Sequence, residues 1–182
     1  MRRSGAHEYR QACNTQAVVC AEGSQLILAA NLAAATADAP SFAATALGMK
    51  QTTGLPETFL AGTGFASGPA VAALPPEATD PLVAKGRAQP HRPYGFRPPL
   101  KAKAARRLTQ PWRVEMKAKL ETEDGKNRYK KRKKTVEPVF GIIKSAIGFV
   151  RFHLRGPGNA ANEWRLIALA CNGRRLARLQ AA

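Results

Sequence analysis

Tyr129-Lys-Lys-Arg-Lys-Lys-Thr-Val-Glu-Pro-Val-Phe-Gly-Ile-Ile-Lys144 sets one acid, Glu137, inside an intensely basic run. Tyr129, Val136, Phe140, Ile143 and, just beyond, Ile147 recur at helical spacings and make one apolar stripe. The stripe predicts a helix over about 123–147. Pro138 lies inside it and is expected to kink the helix near Lys134, because proline removes an amide and crowds a carbonyl. Glu137 and Lys144 are seven residues apart, close to two turns, and Lys133 stands one turn before Glu137, so the three share a side. A carboxylate among cations suits phosphodiester chemistry, in which hard oxygen ligands hold a divalent ion and cations grip the strand. The same residues also describe an ordinary Lys–Glu–Lys surface network. Spacing alone favours that second reading, since exposed pairs are common and weak.

Outside this stretch the charge is unevenly spread. The 182 residues hold 29 Lys and Arg against 12 Asp and Glu, a net charge of +17. Residues 1–84 carry a net −2, residues 85–155 a net +16 and residues 156–182 a net +3. Concentrated positive charge repels itself unless a polyanion neutralises it, and nucleic acid is the commonest one. A solvated basic face or a disordered tail would have the same composition. Cys13, Cys20 and Cys171 lack zinc spacing, and their odd number argues against a disulfide framework, so a reducing cytosol is the expected compartment. The most apolar stretch, 24–47, is broken by Asn31, Asp38 and Pro40 and predicts no membrane span. No local set of residues points to a small-molecule substrate.

Along the chain, residues 14–21 and 24–33 read as two strands with Glu22-Gly23 as their turn. A helix is expected over 41–50 with Asp38 as its cap, a strand over 57–61, a short helix over 68–74 and a strand over 81–84. Residues 86–108, rich in Pro, Arg and Lys, read as a basic loop. Pro111 suits a helix start, and a last helix over 159–179 carries Trp164, Ile167, Ala168, Cys171 and Leu176 on one side. The order predicts an α/β fold, a mixed sheet with helices packed on it, over residues 9–182, with 1–8 a disordered N-terminus.

The series Tyr129, Arg132, Thr135-Val-Glu137-Pro-Val-Phe-Gly-Ile-Ile-Lys144, then Gly148-Phe-Val-Arg-Phe-His-Leu-Arg-Gly156, then Glu163-Trp-Arg-Leu-Ile-Ala-Leu-Ala-Cys-Asn172 with Arg175 resembles the C-terminal part of bacterial insertion-sequence transposases. These are DDE transposases with an RNase H-like fold. The resemblance implies that Glu137 is the last catalytic, metal-binding acid. It implies that Tyr129, Arg132 and Lys144 flank it and contact DNA, with Lys130, Lys131, Lys133 and Lys134 adding to the grip. Upstream, Leu60-Ala-Gly62-Thr-Gly64-Phe65-Ala-Ser67 is similar to the family segment that carries the second catalytic Asp, but Gly62 stands at that place. Residues 1–13, where the first acid is expected, contain no Asp.

The resemblance therefore implies a partial RNase H-like sheet, incomplete at the N-terminus, in a truncated DDE domain. Such a domain would bind DNA in the bacterial cytoplasm, beside the nucleoid, with a full-length transposase as an oligomeric partner. The intact family uses Mg²⁺, and with two of its acids missing no productive metal centre is expected here. The competing expectation is a non-catalytic nucleic-acid-binding protein or transposition repressor that uses the basic block alone. Asp38, Asp80 and Glu57 are read as cap or turn residues.

Overall fold

In a computed structural model, residues 2–3, 9–10, 13–33, 35, 37–84 and 110–181 are described. The expected basic loop, 86–108, lies outside them, as does most of the expected disordered N-terminus. Of that terminus, Arg2–Arg3 form β1, which pairs antiparallel with β2 (Tyr9–Arg10) just beyond it.

The two apolar runs flanking Glu22-Gly23 form an antiparallel hairpin of β3 (Asn14–Val19) and β4 (Ile27–Ala33). Gly23 supplies the positive φ of +91° that the turn needs. The hairpin separates two apolar layers because successive strand residues point to opposite faces. Val18, Leu28 and Ala29 join one core with Phe42, Ala46 and Met49 of α1 (Phe42–Lys50). Ala17, Val19, Ile27 and Ala30 join the other with Val139, Ile143, Trp164 and Ala168. Leu28 and Ala29 are sequence neighbours on one side because the register shifts there: Val18 faces Ala29 and Val19 faces Ile27. Leu28 is thus the extra residue of a β-bulge.

β5 (Thr58–Ala61) and β6 (Asp80–Val83) run parallel, joined by a crossover through the short helix α2 (Gly68–Ala72). Their Phe59, Ala61 and Val83 complete the α1-side core, where Phe42 meets Phe59 edge-on at 5.4 Å. The chain is therefore α/β, with helices on both faces of the hairpin. The expected single mixed sheet is corrected in one respect. Among the described residues the strands form three separate two-stranded sheets. β3 and β5 share no ladder because a cleft of about 560 Å³ lies between them.

Three helices follow: α3 (Pro111–Glu121), α4 (Glu123–Ser145) and α5 (Pro157–Gln180). Pro111 sits at the start of α3, where its missing amide costs nothing. Trp112 packs its indole against Gly68 at the start of α2. A Cβ on that glycine would stand 2.6 Å from the ring nitrogen. Thr122 separates α3 from α4 and caps α4, accepting from the Gly125 amide at 3.0 Å. Glu123 and Asp124 in the first turn favour the positive end of the helix dipole.

α4 runs unbroken through Pro138. A proline there leaves the carbonyl four residues back, Lys134, without its helical donor. The Gln25 side-chain amide supplies one at 3.0 Å. Gln25 reaches it from the hairpin turn, where its φ is +55°, in the left-handed region. Arg175 of α5 donates to the carbonyls of Ser24 at 2.7 Å and Gly23 at 3.0 Å, so both long helices grip one turn. The buried stripe of α4 is rotated from the one expected. Thr135, Val139 and Ile143 are buried, whereas Val136 and Phe140 are half-buried. On α5, Trp164 is 1% exposed, stacks on Phe140 at 5.8 Å and donates to the Gln16 carbonyl at 3.0 Å.

Candidate nucleic-acid interface

With Thr135, Val139 and Ile143 turned inward, the opposite side of α4 faces solvent. It carries Lys126, Lys130, Lys133, Lys134, Glu137 and Lys144, all exposed. From Lys126 to Lys144 the stripe is about 27 Å long, most of a duplex turn of about 34 Å. Lys126 bonds Glu123 at 3.1 Å and Lys130 bonds Asn127 at 3.4 Å, both within a turn. Such exposed local contacts are weak and leave the ammonium groups available. Among the described residues Lys133, Lys134 and Lys144 make no ion pair. Lys126 was absent from the sequence-derived set, although it stands four residues before Lys130 and so shares its face.

Three other residues of the set turn toward the strands. Tyr129 is half-buried and donates its hydroxyl to the Ala61 carbonyl at 3.2 Å. Burial pushes its phenol above the usual tyrosine value, and the Arg132 charge partly offsets this. Arg132 is 29% exposed, and its guanidinium lies against Gly62 at the end of β5. A Cβ on Gly62 would stand 2.9 Å from Arg132 Nη2. Lys131 reaches across to Glu22 of the hairpin turn at 3.2 Å. Arg128, also missed in sequence, bonds Thr58 at 3.1 Å and Asp124 at 2.8 Å.

Glu137 is 63% exposed, and Arg132 Nη1 lies 3.9 Å from its carboxylate. The structure thus gathers Tyr129, Arg132 and Glu137 near the end of β5, and sets Lys130, Lys133, Lys134 and Lys144 outward. The upstream acids are engaged elsewhere. Asp38 does not cap the following helix as expected. Its carboxylate accepts from the Asn14 amide and sits beside Gly64. Asp80 pairs with Lys119 at 2.9 Å. Glu57 immediately precedes β5, at the opposite end from Gly62. Among the described residues no three His, Cys, Asp or Glu side chains cluster as a metal site would need.

Residues 100–177 match the family model described as the Transposase DDE domain. This span, somewhat under half of the chain, is similar to DDE transposases. It takes in α3, α4 and α5, and with them Glu137 and the whole lysine stripe. No curated protein and no solved structure matches the chain. DDE transposases work on DNA and generally use Mg²⁺. Mg²⁺ demands hard oxygen ligands in near-octahedral geometry, usually including one or two carboxylates. Around Glu137 the neighbouring charges are Arg132 and Lys133, and Gly62 offers no side chain, so the residues described here do not fit that ion. Among the described residues no helix is long and apolar enough to cross a membrane.

Proposed function

We propose that this DDE transposase segment binds DNA along the exposed face of α4 without cutting it. The observation that carries this reading is the pairing of Glu137 with Arg132, beside Gly62, at the edge of a row of five lysines. A guanidinium where a metal cluster would need a second acid repels a divalent cation and attracts phosphate. The row grips phosphates and supplies little base readout, because ammonium groups are point charges without the planar fork that reads a base edge. The separate pairs β3–β4 and β5–β6 are the two parts of an RNase H-like sheet in this reading. Nucleoid DNA in the bacterial cytoplasm is the partner, and a full-length transposase bound to the same DNA is a second one.

Titration of a fluorescent 30-base-pair duplex at several salt concentrations tests the DNA reading. Five neutralised phosphates give a slope of log affinity on log salt of about −4.5. A slope near zero between low and physiological ionic strength would refute phosphate gripping. Glu137→Gln should bind slightly tighter, since it removes the one negative charge from the row.

A further inference from the structure

Residues 148–156 link α4 to α5 as a loop bounded by Gly148 and Gly156, whose φ values are +75° and +87°. The loop is held from inside. The Phe149 amide donates to the Ile143 carbonyl at 3.0 Å, Phe149 meets Phe152 edge-on at 5.2 Å, and Phe149 stacks on Trp164 at 6.3 Å. Glu163 accepts from the His153 and Leu154 amides at 3.0 Å. The same loop leaves Val150 74% exposed and Leu154 53% exposed, beside the exposed Arg151 and Arg155. Single exposed apolar residues are ordinary on protein surfaces, but here two lie on one anchored loop together with two arginines. Among the described residues neither arginine pairs with an acid, and Glu163, 13% exposed, is spent on the loop's amides. The segment 85–109 carries eight Lys and Arg and no Asp or Glu, so its charge opposes its covering this loop.

The loop also adjoins the lysine row. Phe140 stands one turn before Lys144 on α4, and it stacks on Trp164, which stacks on Phe149. Arginines beside apolar side chains on an anchored loop have the chemistry of a minor-groove contact. Guanidinium groups suit the negative potential of a narrow minor groove, and apolar wedges part a deformable base step. Two apolar side chains are too few to anchor a chain in a lipid surface. We propose that loop 148–156 is a second DNA contact, which enters the minor groove of A·T-rich duplex with Arg151 and Arg155 and presses Val150 and Leu154 against a pyrimidine–purine step. This inference rests on the reading of α4 as a DNA-binding face and deepens it. The lysine row supplies affinity for any duplex, and the loop supplies the preference among them.

Fluorescence anisotropy with the whole chain compares two duplexes of equal length at one salt concentration, one with a central run of alternating T and A and one with a G·C run in its place. The A·T duplex should bind at least about fivefold more tightly. The double variant Arg151→Ala, Arg155→Ala should bind both duplexes equally, whereas Lys133→Ala with Lys134→Ala should weaken both alike and keep the ratio. Netropsin, which fills an A·T minor groove, should reduce affinity for the A·T duplex to the G·C value. A 2-aminopurine base at a central TA step should brighten on binding as it unstacks, and Val150→Ser with Leu154→Ser should abolish the rise without changing the fold by circular dichroism. Binding of both duplexes without preference would overturn the loop contact and leave the lysine row standing, as would a preference that survives the arginine variant; the loop would then be a surface for some other partner. A preference with no 2-aminopurine response would overturn the wedge. Failure to bind either duplex would overturn the DNA reading of α4 itself, and this inference with it.

Discussion

Asn172 on α5 holds the start of β4 by a pair of bonds. Its Oδ1 accepts from the Ile27 amide at 2.8 Å and its Nδ2 donates to the Ile27 carbonyl at 2.8 Å. Ile27 is 6% exposed, so water has little access to either group. Asn172→Leu keeps nearly the same size and removes both bonds. Each buried backbone group left without a partner costs roughly 1–3 kcal/mol, so the loss should be about 2–6 kcal/mol. Domains are stable by about 5–15 kcal/mol, so this is a large share. At about 2–4 °C per kcal/mol for a chain of this size, the melting temperature should fall by roughly 4–24 °C. Circular dichroism melts and urea titrations of the purified variant would measure it. Asn172→Asp keeps the acceptor and loses the donor, and should fall between the two. A loss below about 0.5 kcal/mol for Asn172→Leu would refute the reasoning, because it would mean that the Ile27 groups are satisfied in another way.

Gln25→Ala leaves the Lys134 carbonyl without its donor; the site is exposed, so stability should drop by only about 0.5–1 kcal/mol in the same melts. An effect of several kcal/mol would mean that the hairpin turn carries more than this bond. Glu163 accepts from the Leu154 and His153 amides, and those bonds hold its carboxyl below the usual glutamate value, the Leu154 amide contributing most. A carboxylate lowered in the folded state stabilises fully above the unfolded glutamate value. That stabilisation is lost as pH falls through the lower folded value. Amide exchange at His153 and Leu154 should therefore quicken as pH drops below the ordinary glutamate range, after correction for intrinsic rates, and Glu163→Gln should remove the transition. The double variant Lys133→Ala, Lys134→Ala should reduce the magnitude of the salt slope for DNA by about 2 and weaken binding on all duplex sequences alike. A sequence-selective loss would instead assign these lysines to base contacts.

Alternation and turn chemistry made the β3–β4 hairpin legible, and Glu22-Gly23 located its turn. The helices starting at Phe42, Pro111, Glu123 and Pro157 were legible from proline and 3.6-residue spacing. The inward face of α4 was less so. Tyr129, Val136 and Phe140 are apolar, yet Thr135 and Val139 take the buried positions, because the core around Trp164 and the Gln25 contact set the rotation of the helix. Thr135 satisfies its hydroxyl on the Arg132 carbonyl at 3.2 Å, which removes the cost that made it look exposed. The lysine row was readable because exposed cations at helical spacing need no tertiary information. The contact of Arg132 with Gly62 was not, since it joins residues 70 positions apart and leaves no local pattern. The split of the strands into separate pairs was equally hidden, because pairing depends on which edges meet.

The most direct measurement of the central claim is nicking of supercoiled plasmid by the purified chain with Mg²⁺ or Mn²⁺, at protein concentrations where DNA is fully bound. The account predicts bound, uncut plasmid, identical for the unaltered chain and for Glu137→Gln. Metal-dependent nicking by the unaltered chain that Glu137→Gln abolishes would contradict it, and would make Glu137 a metal ligand and the chain a working nuclease.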